Sequence, residues 1–115
     1  MDGIDAALIE TNGDGITSFG DTNKILYDFS FRDQLRCLMG RKAQNDYETR
    51  AVTSELNRLH ALAVNELLFK SSLKAKDIGV VGFHGQTVFH DPSKGITCQI
   101  GDGAALANDI GIPVV

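Results

Sequence analysis

The densest polar cluster of the 115-residue sequence is His84-Gly85-Gln86-Thr87, which directly follows an apolar segment. Histidine offers an acid/base or hydrogen-bonding ring, glutamine a donor and an acceptor, and threonine a hydroxyl. Gly85 would let a ligand approach the backbone closely. Open α/β sheets place ligand contacts at strand ends, so this position predicts a ligand site. The alternative is a polar loop whose side chains satisfy one another.

Two other segments carry polar groups at positions that suit a ligand. Asp102, in the segment Gln99 to Gly103, lies where a strand opens into a helix. It could meet a ligand there, although an ordinary helix cap is the favoured interpretation. Asp2, Gly3 and Asp5 place two carboxylates beside a glycine. That pattern suits a magnesium-bound phosphate, but Asp-Gly before a strand is usually a turn.

The remaining histidines and cysteines have simpler explanations. His84 and His90 lie on either side of a predicted strand or turn. Together with Asp91 they lack the helical spacing of metal ligands, so no metal site is expected. His60 falls within a predicted helix and reads as a partly buried histidine with a local partner. Cys37 and Cys98 lie far apart, which predicts two small buried hydrophobes rather than a disulfide or a zinc site.

Composition and charge argue against two classes of partner, nucleic acids and membranes. Eleven Lys and Arg against fifteen Asp and Glu give a net charge of −4, which argues against a nucleic-acid partner. No apolar run approaches the ~18 residues of a membrane span, so no membrane partner is expected. The sequence begins without a basic or apolar leader, which predicts a cytoplasmic protein. The mixed charges from Arg41-Lys42 to Arg50 predict a solvated connection.

The elements that must position these residues begin with an antiparallel pair. Ile4 to Ile9 is an apolar run of strand length that leads into Asn12-Gly13, a typical hairpin turn. The second strand is either Ile16 to Phe19, or the alternating stretch from Ile25 to Phe31, or both.

Helices and strands alternate afterwards. A short helix is predicted from Asp33 to Met39, ending near Gly40. A long amphipathic helix is predicted to begin at Thr53 or Ser54 and to reach Leu68. Ile78 to Phe83 is a near-continuous apolar run, typical of a strand covered on both faces.

The last third repeats this order. Thr97 to Ile100 predicts a strand, Ala104 to Asp109 a helix that ends at Gly111, and Ile112 to Val115 another buried strand. The sequence therefore predicts an α/β domain: an antiparallel hairpin followed by alternating helices and strands.

Three segments together resemble the anhydro-N-acetylmuramic acid kinase family. They are Met1 to Thr11, Gly82 to Val88 with its His-Gly-Gln-Thr-Val core, and Gln99 to Val115, which opens Gln-Ile-Gly-Asp. The resemblance implies the N-terminal, ribonuclease-H-like lobe of a two-lobed kinase of the actin, hexokinase and Hsp70 superfamily.

The family's activity is what the resemblance implies for the complete enzyme. It uses ATP and Mg²⁺ to convert 1,6-anhydro-N-acetylmuramic acid to N-acetylmuramic acid 6-phosphate, opening the anhydro bridge with water, in bacterial cell-wall recycling. Asp2, Gly3 and Asp5 match the back half of the family's phosphate loop. His84, Gln86 and Thr87 match the segment on the sugar side of the cleft, and Asp102 matches the aspartate of Gln-Ile-Gly-Asp.

Two departures from the family pattern bear on whether this chain would be active alone. The family's Met-Ser-Gly-Thr-Ser segment precedes the part matched by Asp2, and its Asp-Phe-Arg segment, with the aspartate that activates water, lies beyond Val115. The resemblance therefore implies a lobe truncated at both ends that is inactive alone. Alternatives are a non-catalytic assembly module and a truncated product without its own function. The strands Ile4 to Ile9 and Ile78 to Phe83 would each lack a neighbour, which predicts marginal stability and self-association through exposed strand edges.

Overall fold

The computed structural model describes residues 2–41 and 46–115. Its strands and helices are as follows: β1 Gly3–Thr11, β2 Ile16–Leu26, α1 Phe29–Leu38, α2 Tyr47–Lys70, β3 Gln86–Asp91, β4 Ile96–Ile100 and α3 Gly103–Ile110, with a 3₁₀ turn at Ala75–Asp77. Strands β1 and β2 form one antiparallel hairpin, and β3 and β4 form a second.

The first hairpin contains the predicted strand Ile4 to Ile9 and the predicted turn. Asn12 accepts hydrogen bonds through Oδ1 from the backbone N–H groups of Asp14 and Gly15, both at 3.0 Å. Of Asn12 and Gly13, only Gly13 has a positive φ, of 93°. A two-residue Asn-Gly turn requires positive φ at both positions, so the connection is a wider loop.

The second strand was only partly foreseen. Strand β2 runs without a break from Ile16 to Leu26, so Ile16 to Phe19 is its first part. The extended stretch predicted to reach Phe31 was wrong, because Asp28 caps α1 by accepting a 2.7 Å hydrogen bond from the Phe31 N–H. Tyr27 and Phe31 are buried four residues apart and their rings pack edge to face. The helix predicted from Asp33 therefore begins four residues earlier, at Phe29.

The long helix α2 also begins earlier than predicted. Its cap is Asp46, which accepts from the Thr49 N–H at 2.8 Å. Thr53, a predicted cap, instead donates its hydroxyl to the Thr49 carbonyl within the helix. Asp46 also pairs with Arg41, which places charged residues at this connection as expected, whereas Lys42 lies outside the described residues.

Helix α2 joins two apolar clusters. The larger lies between the first hairpin, α1, α2 and the second hairpin, and it includes Ile4, Phe31, Leu35, Val52, Leu56, Leu59, Ala63, Val88 and Ile100. The smaller lies where α2 meets α3 and consists of Leu68, Leu106, Ile110 and Ile112, with half-buried neighbours such as Phe83. One amphipathic helix thus serves as the shared wall of both clusters.

The strands predicted for Ile78 to Phe83 and for Ile112 to Val115 are wrong as regular strands. They meet in a single parallel bridge between Val81 and Val114. Backbone hydrogen bonds run from Val81 N–H to the Pro113 carbonyl and from Val115 N–H back to the Val81 carbonyl. The segment is not covered on both faces, since Val80 is 51% exposed. It has one partner segment in the described part of the chain, and a buried strand needs two.

The second hairpin contains one strand predicted with its bounds and one predicted only as a strand or a turn. Thr97 to Ile100 lies within β4, as expected, and the stretch between His84 and His90 lies in β3. The signal that decides for a strand is the turn between β3 and β4, where Asp91 accepts a hydrogen bond from the Ser93 N–H. The helix predicted from Ala104 is confirmed as α3, and it ends at Gly111 with φ of 68°.

The chain is thus a mixed α/β domain with two antiparallel hairpins and three helices in its described part. None of those helices combines the length and apolar character that crossing a bilayer requires.

Candidate functional site

The structure brings two of the predicted site segments into contact. Gly85 has φ of 68° and packs directly against the Ile100 carbonyl oxygen, leaving no room for a side chain. Gly101 has φ of 141°, and a Cβ there would lie 2.7 Å from the Phe83 ring and 3.1 Å from the Gly85 Cα. Both positions therefore require glycine, because an L side chain would meet strain and collision together.

This contact lines an open pocket of about 520 Å³. Its walls come from the segment before β3, the end of β4, the first turn of α3 and the C-terminal residues: Phe83, His84, Gly85, Gln99, Ile100, Gly101, Gly103, Ala104, Ala107, Val114 and Val115. His84 is the one ionisable side chain in that lining. The pocket can therefore offer an imidazole, the Gln99 amide and backbone groups to a polar ligand, but its lining has no side-chain carboxylate.

Gln86 and Thr87 lie beside this pocket rather than in its lining. They begin strand β3, where Gln86 pairs with Ile100 and Thr87 with Gln99. The Gln86 amide donates to the Thr87 carbonyl, and the Gln99 amide donates to the Thr87 hydroxyl, both at 3.3 Å. The two side chains are thus engaged locally, as in the alternative interpretation of this cluster, but on a strand and not in a loop.

Asp102 is confirmed as the cap of α3, since its Oδ1 accepts from the Ala105 N–H at 3.0 Å. Its backbone is held from the other side by Asn57 of α2, which sequence reasoning missed. The Asn57 amide donates to the Asp102 carbonyl at 2.8 Å and accepts from the Asp102 N–H at 3.1 Å. Asn57 is only 5% exposed, and the signal that could have revealed it is an asparagine on the apolar stripe between Leu56 and Leu59.

His60 is partly buried with a local partner, as predicted. Its Nδ1 lies 2.8 Å from the Leu56 carbonyl, so this nitrogen carries the proton. Its ring packs edge to face on Phe83, with centroids 4.8 Å apart. Burial lowers the pKa of His60 and the nearby His84 lowers it further, whereas the hydrogen bond to Leu56 acts in the opposite direction.

The N-terminal candidates do not share this pocket. Gly3 packs against the Ile25 carbonyl with no room for a Cβ, which explains the glycine structurally. The Asp2 carboxylate lies 3.8 Å from Arg32, and the Asp5 carboxylate lies 3.8 Å from Lys24. Each carboxylate is thus next to its own basic side chain. Residues 2–41 and 46–115 contain no cluster of three or more His, Cys, Asp or Glu side chains suited to a metal ion.

The other candidates have structural surroundings of their own. The exposed His90 forms a 2.8 Å hydrogen bond with Thr97 across the second hairpin. Cys98 packs on the larger apolar cluster, as predicted. The prediction of a buried Cys37 was wrong, because Cys37 lies on the exposed side of α1.

Comparison with known proteins gives one consistent result. The family model for anhydro-N-acetylmuramic acid kinase matches residues 1–115. Relatives that carry this name include one from Azorhizobium caulinodans, 47% identical with 100% of this chain and 33% of the relative covered. A relative from Rhizobium johnstonii is 41% identical, and the match covers 100% of this chain and 32% of the relative. A relative from Paramagnetospirillum magneticum is 39% identical, and the match covers 100% of this chain and 31% of the relative. The chain spans about a third of the length of these curated relatives.

Proposed function

Because the chain belongs to the anhydro-N-acetylmuramic acid kinase family, we propose that it forms the sugar-binding part of an ATP-dependent kinase in the bacterial cytoplasm. The substrate is 1,6-anhydro-N-acetylmuramic acid, and the product is N-acetylmuramic acid 6-phosphate, formed with hydrolytic opening of the anhydro bridge in cell-wall recycling. Within that kinase, this chain belongs to the ribonuclease-H-like lobe, which binds the sugar and presents it for phosphorylation.

The observation that carries this proposal is the pocket at the contact between Gly85 and Gly101. A sugar acid needs several hydrogen-bonding groups at close range, and the two glycines allow it to approach the backbone. His84 is the principal side-chain contact of the sugar. Gln86, Thr87 and Asp102 lie within or next to the segments that form this pocket and are further contacts.

We assign the phosphate side of the complete enzyme to Asp2, Gly3 and Asp5. ATP supplies the phosphoryl group that is transferred. The two carboxylates do not by themselves form a magnesium site, because each lies beside a basic side chain.

The pocket suits binding of the sugar but not transfer of the phosphoryl group. Phosphoryl transfer requires a group that orients the nucleophile, in addition to a cradle for the phosphates. The pocket's lining includes no Asp or Glu side chain that could take that role. We expect the purified chain to bind the sugar without sugar-dependent release of ADP, which a coupled assay would measure.

Amide NMR titration with 1,6-anhydro-N-acetylmuramic acid tests the binding. Shifts should concentrate at residues 83–87 and 99–104, and His84→Ala should weaken the affinity at least tenfold, about 1.4 kcal/mol, through the lost hydrogen bond. His90→Ala is the matched control, since His90 lies on the adjoining strand β3, outside the pocket, and bonds to Thr97. Shifts confined to residues near Arg41, or equal losses in both variants, would contradict the assignment.

One edge of strand β2 is open to a partner strand. The edge of β2 that faces away from β1 has no strand partner in the described residues. Exposed strand edges pair with copies of themselves. The sequence predicts self-association through the edges of Ile4 to Ile9 and of Ile78 to Phe83, which remains a prediction. We propose that the chain also self-associates weakly through this edge of β2, beside its role as part of a kinase.

A further inference from the structure

One wall of the His84 pocket is formed by residues 101–103, with the sequence Gly-Asp-Gly. Gly101 and Gly103 both line the pocket, whereas Asp102 between them does not. Glycine has the freest backbone of all residues and loses the most conformational freedom on folding. A wall with a glycine on each side of its central residue therefore has little conformational preference of its own. Contacts from other elements must set its shape.

Two kinds of contact act on this wall. On the pocket side the contacts are steric: Gly101 packs against the Phe83 ring and Gly85, and a Cβ on Gly103 would lie 3.5 Å from Val114. They limit how far the wall can move, but they are not directional. The directional contacts come from α2, where the side-chain amide of Asn57 bonds to both the N–H and the carbonyl of Asp102.

These two hydrogen bonds control both peptide groups of the wall. The Asp102 N–H belongs to the peptide group that Asp102 shares with Gly101, and the Asp102 carbonyl belongs to the one that it shares with Gly103. An asparagine amide offers one acceptor and one donor group at a fixed separation, so a single side chain orients both groups. The Asp102 carbonyl also accepts from the Leu106 N–H, which ties the wall to the first turn of α3.

Asn57 can act as an anchor because it is itself held in place. It is 5% exposed and lies well inside the 24-residue helix α2. Its neighbours Leu56 and Leu59 are buried in the larger apolar cluster. The side chain therefore starts from a rigid backbone, and the wall that it holds is the more mobile of the two partners.

We propose that Asn57 is a positioning residue of the sugar pocket, which fixes residues 101–103 in the shape that binds the sugar. This role rests on the proposed function, since the wall serves a sugar only if the pocket binds one. Asn57 does not contact the sugar, because it is not part of the lining. Without its hydrogen bonds the binding shape becomes one of several, and the affinity falls in proportion to the fraction of chains that adopt it.

Asn57→Asp is the informative variant, because it keeps the size of the side chain and makes its donor depend on pH. The carboxylate accepts from the Asp102 N–H but has no proton for the Asp102 carbonyl, whereas the protonated acid restores both bonds. At about pH 7.5 the variant should bind 1,6-anhydro-N-acetylmuramic acid at least tenfold more weakly than the unaltered chain in an NMR titration. At about pH 5 this difference should narrow, since burial favours the protonated acid.

Asn57→Ala separates recovery of the hydrogen bonds from other effects of pH. Alanine regains neither bond, so this variant should bind the sugar at least fivefold more weakly at both pH values. His60, His84 and Asp102 can titrate in every variant, and each affinity is therefore compared with that of the unaltered chain at the same pH. If Asn57→Asp does not fold at about pH 7.5, as judged by circular dichroism, Asn57→Ala decides, because alanine is well tolerated in a helix.

Asn23→Asp is the matched control. Asn23 also donates to a carbonyl of α2, that of Ala63, at 3.3 Å, and it lies outside the pocket lining. Its replacement should leave the sugar affinity within about twofold of the original value, as expected for a distant, independent site. In the absence of sugar, hydrogen exchange at residues 101–104 should accelerate in the Asn57 variants and not in Asn23→Asp.

Failure of the proposed function and failure of the role of Asn57 give different results. If the unaltered chain does not bind the sugar, the proposed function is wrong and this role of Asn57 falls with it. If the unaltered chain binds and the folded Asn57 variants bind equally well, or if exchange at residues 101–104 is unchanged, only the role of Asn57 is wrong. Equal losses of affinity in Asn57→Asp and Asn23→Asp would also overturn it, because they would reflect lower stability in general.

Discussion

At the scale of single residues, Asn57 has the largest structural role that its sequence context conceals. It is the buried polar side chain of the described core, and both its amide atoms bond to the backbone of Asp102. This links α2 to the loop that opens α3 and lines the pocket. Asn57 thereby positions the loop without lining the pocket itself.

We expect Asn57→Leu to lower the free energy of unfolding by about 1–3 kcal/mol, because two hydrogen bonds of about 0.5–1.5 kcal/mol each are lost. The Asp102 N–H would lose its partner, and the Asp102 carbonyl would keep only the hydrogen bond from the Leu106 N–H. Asn108→Leu, an exposed position of α3, is the matched control and should change it by less than about 0.5 kcal/mol. Urea denaturation measures both. Hydrogen exchange at residues 102–106 should accelerate in the Asn57 variant alone. Equal stability in the two variants would show that the hydrogen bonds contribute nothing net.

His60 makes the stability depend on pH. Its pKa is lowered in the folded chain, mainly by burial, so the unfolded chain binds the proton more tightly. The free energy of unfolding should therefore fall as the pH drops below about 6.5, the ordinary histidine value, until the folded pKa is passed. The carboxyls of Asp46 and Glu55 also have lowered pKa values, but their effect belongs to more acidic solutions, below about pH 4.5.

His60→Gln tests this dependence, because the glutamine amide can still donate to the Leu56 carbonyl but does not titrate. The loss of stability between about pH 7.5 and about pH 5.5, on either side of the ordinary value, should shrink in this variant. It should persist in His90→Gln, where the replaced ring is exposed. Denaturant titrations at the two pH values measure the difference. An undiminished loss in His60→Gln would place the responsible proton on another group.

At the scale of elements, the second hairpin depends on a close backbone approach at Gly85, the residue just before β3. Gly85 and Gly95 have nearly equal φ values, 68° and 64°. Gly85 is pressed against the Ile100 carbonyl, whereas a Cβ on Gly95 would meet nothing within 4 Å. The two glycines thus share a backbone conformation and differ in their surroundings.

Gly95→Ala should therefore cost about 1–2 kcal/mol, the penalty of a left-handed L residue. Gly85→Ala should cost at least about 2 kcal/mol more, because β3 must also move away from Ile100, by the mechanism of overpacking. Thermal and urea unfolding of the two single variants give this difference directly. Similar losses in both would show that the backbone at Gly85 relaxes freely.

The sequence predicts an element well when the residues that determine it are local, and poorly when contacts with other residues decide it. The first strand, the end of β4, and α3 with its Asp102 cap were predictable, because their turn residues and apolar runs are local. The start of α1 was not, since Tyr27, Phe29 and Phe31 alternate like a strand. The pairing of Tyr27 with Phe31 and the cap at Asp28 decide it.

The misjudged segment Ile78 to Phe83 has a different cause. Its composition is that of a buried strand, but whether an apolar run forms a strand depends on neighbours that composition does not contain. The features of the candidate site likewise divide into those with a local sequence signal and those that depend on distant contacts. The positions of His84 and Asp102 at the ends of elements were local signals. The collision that fixes Gly85 against Ile100, and the link from Asn57 to Asp102 across 45 residues, exist only in the folded chain.

At the scale of the whole molecule, the chain is more open than its length requires. The radius of gyration is 15.2 Å, whereas a chain of this length typically has about 13 Å. Two small apolar clusters share α2 in place of one central core. Large apolar side chains remain exposed at separate places, including Phe19, Phe29, Phe69 and Val80. Such a surface favours association.

Self-association should occur through the free edge of β2. This strand is 11 residues long and contains no proline. Its edge is protected by two charged side chains, Asp21 and Lys24, and by the irregular register with β1. Phe19 is 77% exposed on it and would be covered when two copies pair antiparallel about a two-fold axis. The net charge of −4 per chain opposes the pairing, which keeps the association weak and makes it stronger at higher salt.

Sedimentation velocity should show a monomer–dimer equilibrium between micromolar and millimolar concentrations. Phe19→Lys should shift it at least tenfold towards monomer, because it adds a charge to the edge and removes the apolar contact, whereas Val80→Lys should not. A chain that stays monomeric at every concentration, or a dimer that only Val80→Lys dissociates, would exclude this edge as the contact.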